Sequence, residues 1–114
     1  MNVPRAKPAF TKPTAEAMRE HAADAASLLR ALGNEQRLMI LCHLLSGERA
    51  VGALQAELPL SQSALSQHLA VLREAGLVDT RRQSQQILYS LVPGPAEQVL
   101  ATLQTIYCPT GESI

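Results

Sequence analysis

With 114 residues the chain has the size of one compact domain, and area scaling has it bury about 65% of the extended chain's surface, a modest core that a partner subunit would complete. Ten Lys and Arg balance ten Asp and Glu, which excludes a globally basic body and an acidic tail; any nucleic-acid contact must come from local placement of Arg and amide groups. Two Cys with 65 residues between them exclude a disulfide scaffold and a Cys-x-x-Cys motif, and no apolar run reaches the roughly 18 residues of a membrane span, so a cytoplasmic protein is expected.

Residues 1–14 carry Arg5, Lys7 and Lys12 between Pro4, Pro8 and Pro13, without the apolar run of a signal peptide. They are expected to form a flexible arm, either idle or brushing DNA. The domain proper is expected over 15–108, with 109–114 as a tail.

From Thr14 the sequence turns Ala-rich, and Met18, Ala22, Ala25, Leu29 and Leu32 recur at helical spacing, predicting a first helix that ends near Gly33. Its small side chains suit close helix approach in a dimer layer. Asn34 can cap a second helix with Leu38, Leu41 and Leu45 on one face, Cys42 beside that stripe, and Gly47 as its stop. A short third helix runs from about Val51 to Leu58 and must stop before Pro59.

Ser61 then caps a fourth helix, Gln62 to Ala75, ended by Gly76. Leu65, Leu69 and Leu72 form its inward stripe, which leaves Gln62, Ser63, Ser66, Gln67 and Arg73 on the polar side. Residues 77–81 and 86–91 alternate as two strands around a polar tip, Arg82 to Gln85, and read as a hairpin. After Pro93-Gly94-Pro95 a last helix spans Ala96 to about Tyr107 with Val99, Leu100, Leu103, Ile106 and Tyr107 as its apolar surface, and Cys108 stands at its end.

Three helices followed by a two-stranded hairpin describe a mainly α winged helix-turn-helix. Gln and Ser on the exposed N-terminal half of the fourth helix have the reach and hydrogen-bonding groups to read base edges in a major groove. Arg81 and Arg82 fall where a wing would meet phosphates or a narrow minor groove. Taken singly, each Ser or Gln is equally an ordinary solvating residue; it is their grouping that points to DNA. His68, mid-helix, has two readings, a phosphate contact or a structural hydrogen bond. Catalysis finds no support, since no G-x-S-x-G elbow, phosphate-cradling Gly loop or H-E-x-x-H pair is present.

Ser63-Ala64-Leu65-Ser66-Gln67-His68-Leu69, continuing through Leu72-Arg73-Glu74-Ala75-Gly76-Leu77-Val78, closely resembles the recognition segment of ArsR/SmtB-type repressors. Glu35-Gln36-Arg37-Leu38-Met39-Ile40-Leu41 resembles that family's Pro-x-Arg-Leu-x-Ile-Leu segment, with Glu in place of Pro. The resemblance spans about Ala22 to Leu91. It implies a homodimer built through the first and last helices that reads a near-palindromic double-stranded operator. It also directs attention to two metal sites known in the family, and this sequence lacks the residues of both. Glu48 to Leu54 holds no thiol, and Ala96 to Tyr107 offers Glu97 as its one carboxylate and no His. No metal or other cofactor is expected.

Cys42 on the second helix and Cys108 at the end of the last resemble the sensing pair of the family's persulfide-responsive subgroup. That resemblance implies sulfane-sulfur modification of one thiol, attack by the other, an intraprotomer polysulfide bridge, and release of DNA controlling sulfide-detoxification genes. Inserted sulfur spans a wider gap than a direct disulfide, whose Cα geometry is narrow. The alternative reading of Cys42 is a small core hydrophobe. The alternatives for the whole protein are a general thiol-redox regulator and an activator that displaces another DNA-bound protein.

Overall fold

The computed structural model describes residues 14–108, so the expected arm, apart from Thr14, and the tail lie outside the described residues. Six helices and three strands follow in order: α1 Thr14–Arg19, α2 Ala22–Leu32, α3 Glu35–Leu45, β1 Arg49–Ala50, α4 Val51–Glu57, α5 Gln62–Glu74, β2 Val78–Gln83, β3 Gln86–Leu91 and α6 Pro95–Tyr107. The strands form an antiparallel sheet in the order β1-β3-β2.

The single first helix expected from the Ala-rich pattern is in fact two. At His21 the backbone (φ −113°, ψ 2°) leaves the helix; its N–H bonds Met18 O at 2.8 Å, and its carbonyl restarts the ladder by accepting from Ala25 N–H at 2.8 Å. Neither Gly nor Pro marks this break, and Ala15–Glu20 are exposed throughout, so the Ala periodicity runs across it unbroken. Of the expected stripe only Leu32 is buried; Ala25 is half-buried, and Met18, Ala22 and Leu29 face outward.

Asn34 starts α3 as expected, its Oδ1 accepting from the N–H groups of Gln36 and Arg37 at 2.9 and 3.0 Å. The buried face of α3 is Ile40, Leu41 and Leu44, with Leu38 and Leu45 half-buried, a small rotation from the predicted stripe. The strand β1 carries no signal in the sequence. Two residues carry no period, and they are extended because they pair with β3 (Arg49↔Tyr89, Ala50↔Leu88).

Ser61 caps α5 through Oγ, which accepts from Ala64 N–H at 3.1 Å. Leu65, Leu69 and Leu72 point inward and pack with Leu41 of α3, Val78 of β2 and Leu100 of α6 in the common core. Helix α5 ends in a Schellman turn. Leu77 N–H bonds Leu72 O at 2.9 Å and Gly76 N–H bonds Arg73 O at 3.0 Å, with Gly76 at φ +77°. A Cβ on Gly76 would meet nothing within 4 Å, so the cost of Gly76→Ala is that of the left-handed backbone alone, about 1–2 kcal/mol. Thermal denaturation should show that loss; an unchanged Tm would mean the turn is not needed to stop the helix.

Pairing from Val78↔Leu91 to Gln83↔Gln86 closes the hairpin with a two-residue loop, Ser84-Gln85. The four-residue tip predicted from polarity is thereby corrected. Ser84 takes φ +57°, a conformation that glycine usually supplies, and Arg82 sits within β2 opposite Ile87 rather than at the tip. Helix α6 begins one residue earlier than expected, with Pro95 in the first turn, where a missing N–H costs nothing.

Candidate functional site

On α5 the exposed positions are Gln62, Ser63, Ser66, Gln67, Ala70, Val71, Arg73 and Glu74, against the buried leucines Leu65, Leu69 and Leu72. Their i, i+4 relations (62 and 66, 63 and 67) set the four N-terminal polar side chains on one continuous surface. None of these residues is needed by the core. Two are amides able to pair bidentately with adenine, and two are hydroxyls that both donate and accept.

Half-buried His68 departs from that surface. Its Nδ1 lies 3.5 Å from Nη1 of Arg37. The Arg37 guanidinium also donates to the α2 carbonyls of Ala31 (Nε, 2.7 Å) and Arg30 (Nη2, 3.0 Å). Arg37 thus satisfies the carbonyl end of α2 and reaches the recognition helix at once. The Arg37 contact is of the kind that the structural reading of His68 expects, and a phosphate contact by His68 stays a proposal. The sequence signal for this role of Arg37 is an Arg just after a Gly33-Asn34 helix junction.

In the wing, Arg81 and Arg82 are exposed on β2. Arg81 is engaged by Glu48 from the turn after α3, with Nε to Oε2 at 2.7 Å and Nη2 to Oε1 at 2.9 Å. This fork-on-carboxylate pairing holds the Glu48 carboxyl below its ordinary range and the Arg81 guanidinium above its own. Nearby, Glu57 of α4 accepts from Arg49 Nη1 at 3.3 Å and stands 3.1 Å from Nδ1 of His43. That trio ties α3, β1 and α4 together beneath the sheet edge.

Cys42 on α3 and Cys108 at the end of α6 are both free and half-buried. Burial pushes the Cys42 thiol above its ordinary value, and the negative charge of a Cys108 thiolate pushes it further. The charge of Cys108 thus acts on Cys42 across 65 intervening residues. Among the described residues no group of three or more His, Cys, Asp or Glu side chains converges as a metal site. No helix among them is long and apolar enough to cross a membrane.

A helix pair whose second member presents amides and hydroxyls, followed by an antiparallel wing carrying Arg, defines a winged helix-turn-helix DNA-binding protein. The model of the arsR family of bacterial regulatory proteins matches residues 34–80. The chain is 46% identical over 95 residues to the transcriptional activator HlyU of Vibrio cholerae, covering 83% of this chain and 88% of that one. It is 45% identical over 98 residues to the biofilm growth-associated repressor of Agrobacterium fabrum, covering 86% and 84%. Among solved structures, the repressor BigR from Xylella fastidiosa superposes with a TM-score of 0.78 at 44% identity, covering 83% of this chain and 97% of that one. The chain belongs to the arsR family, as a DNA-binding regulator of transcription and not an enzyme.

Proposed function

We propose that this regulator is a cytoplasmic homodimeric repressor that releases operator DNA when persulfide joins Cys42 to Cys108 through inserted sulfur. The reading is carried by two free, half-buried thiols, one on α3 and one at the end of α6, with the charge of Cys108 acting on Cys42. It agrees with the resemblance to the persulfide-responsive subgroup.

The chemistry balances with the persulfide itself as the oxidant. One thiolate takes sulfane sulfur from a low-molecular-weight persulfide and releases its thiol. A second persulfide extends the chain to a protein trisulfide anion. The other thiolate then attacks the central sulfur and expels hydrogen sulfide, leaving one sulfur atom between the two cysteines.

The test is intact mass and peptide mapping of anaerobically reduced protein exposed separately to glutathione persulfide and to peroxide. The expected persulfide product gains one sulfur, loses two hydrogens, resists alkylation and maps to a Cys42 to Cys108 link. Two free thiols, or the same simple disulfide from both reagents, would overturn persulfide selectivity.

Dimerisation is supported by the apolar surface of the terminal helices: Met18 and Leu29 on α1 and α2, and Ile106 and Tyr107 on α6, are 49%, 59%, 59% and 76% exposed. A second reading, activation by displacing another DNA-bound protein, is favoured by the similarity to a protein named as a transcriptional activator. A promoter whose transcription falls when this gene is deleted would select it.

For the DNA contacts, Gln62, Ser63, Ser66 and Gln67 read bases, while Arg73, Arg82 and, once released from Glu48, Arg81 meet phosphates. Gln67→Ala should lose roughly 1–3 kcal/mol of discrimination between operator and random duplex. Arg82→Ala should weaken both duplexes alike and flatten the salt dependence by about 0.9 per wing. Salt titrations of the two variants separate these roles; equal loss on both duplexes for Gln67→Ala would remove Gln67 from base reading.

A further inference from the structure

The Glu48–Arg81 pair joins the turn after α3 to the wing by two short hydrogen bonds. The same two N–H groups would receive a phosphodiester in the same fork geometry. Both partners are exposed, so the pair is open to exchange with an anion from solution. The next residue on the strand, Arg82, makes no ion pair and no side-chain hydrogen bond among the described residues. Two adjacent wing arginines therefore enter an encounter with DNA in different states, one already neutralised and one not.

We infer that Glu48 sets the DNA affinity of this regulator by occupying Arg81 in the place of a backbone phosphate. DNA must displace the carboxylate before Arg81 contributes, so the contact exchanges one anion for another and adds little net attraction. Glu48 also lowers attachment to random duplex, because phosphate contacts supply nearly all non-specific binding. Base contacts from α5 then carry a larger share of the total. The inference rests on the reading that the wing meets the DNA backbone.

The experiment is a double-mutant cycle on the reduced full-length protein, using Glu48→Gln, Arg81→Gln and their combination, with Arg82→Gln alongside. Binding to a duplex from its own promoter region and to a random duplex is followed by fluorescence anisotropy over a range of salt, with circular dichroism as the check on folding. Glu48→Gln keeps the shape of the side chain and removes its charge. The expected result is tighter binding to both duplexes, about three- to tenfold at low salt, with a salt slope steeper by about 0.9 per wing. In the Arg81→Gln background the same change should have no effect.

Equal tightening in that background would show a general charge effect and overturn the inference. Weaker or unchanged binding by Glu48→Gln, with Arg82→Gln still costing affinity, would overturn it while leaving the wing on the DNA. If neither Glu48→Gln nor Arg82→Gln changes affinity or slope, the wing does not meet phosphate and both readings fall together.

Discussion

Serine in place of Cys42 or of Cys108 should leave the reduced protein bound to operator DNA within about twofold of wild type, because a near-isosteric change away from the recognition face falls in the range of roughly ±0.5 kcal/mol. The same substitutions should abolish release by persulfide, since neither single-thiol protein can close a bridge. Their readouts differ in a useful way. The protein with Cys42 alone retains a thiol held above its ordinary value by burial, so little of it is thiolate at neutral pH, and its alkylation should accelerate with pH beyond the range where a free thiol has levelled off. Removing Cys108 also removes the charge that pushes Cys42 upward, so the Cys108→Ser protein should level off at a lower pH than the thiol of Cys42 does in wild type. Mass spectrometry of timed alkylation measures this; persulfide-induced release from either serine variant would sink the bridging mechanism.

Leu69→Ala is the substitution expected to cost the most stability. Leu69 is 1% exposed at the centre of the inward face of α5 and shares the core with Leu41, Val78 and Leu100. Removing its isobutyl group forfeits the transfer free energy and leaves a cavity, about 3–4 kcal/mol in a close-packed site. For a domain of this size that is a large part of a total of about 5–15 kcal/mol, and the Tm should fall by roughly 15 °C at fixed protein concentration. DNA binding should fail at temperatures where Gln67→Ala still binds random duplex normally. A loss under about 1 kcal/mol would mean that α5 is not seated on the core through this residue.

The helices with a buried stripe and a marked stop were legible in the sequence. Ser61, the three inward leucines and Gly76 define α5 almost to the residue, because capping chemistry and periodicity agree there. The same logic failed for the first helix. An Ala-rich segment exposed on nearly every side has no core face to fix its direction, and its break at His21 has no composition signal. Strand β1 was invisible because its extension is imposed by β3 rather than by its own two residues.

Within the site, the amide and hydroxyl surface of α5 followed from spacing alone, as did Arg81 on the first wing strand, whereas Arg82 lies in that strand and not at the tip. The pairings did not follow from spacing. Glu48 and Arg81 are 33 positions apart and Arg37 and His68 are 31 apart, and charge patterning at helical spacing says nothing about partners that tertiary folding brings together. The influence of Cys108 on Cys42 belongs to the same class; the resemblance to a family supplied the pair.

The residues that face outward from α5 are spectators of folding. Gln62, Ser63, Ser66 and Gln67 bury no apolar surface and cap no helix, so each can be exchanged at little cost in stability. On the proposed reading, descendants of this gene, or a designer working with it, can therefore retarget the protein to a new promoter by rewriting a few adjacent codons without touching Cys42, Cys108 or the terminal helices. That reading makes address and trigger separable inheritances.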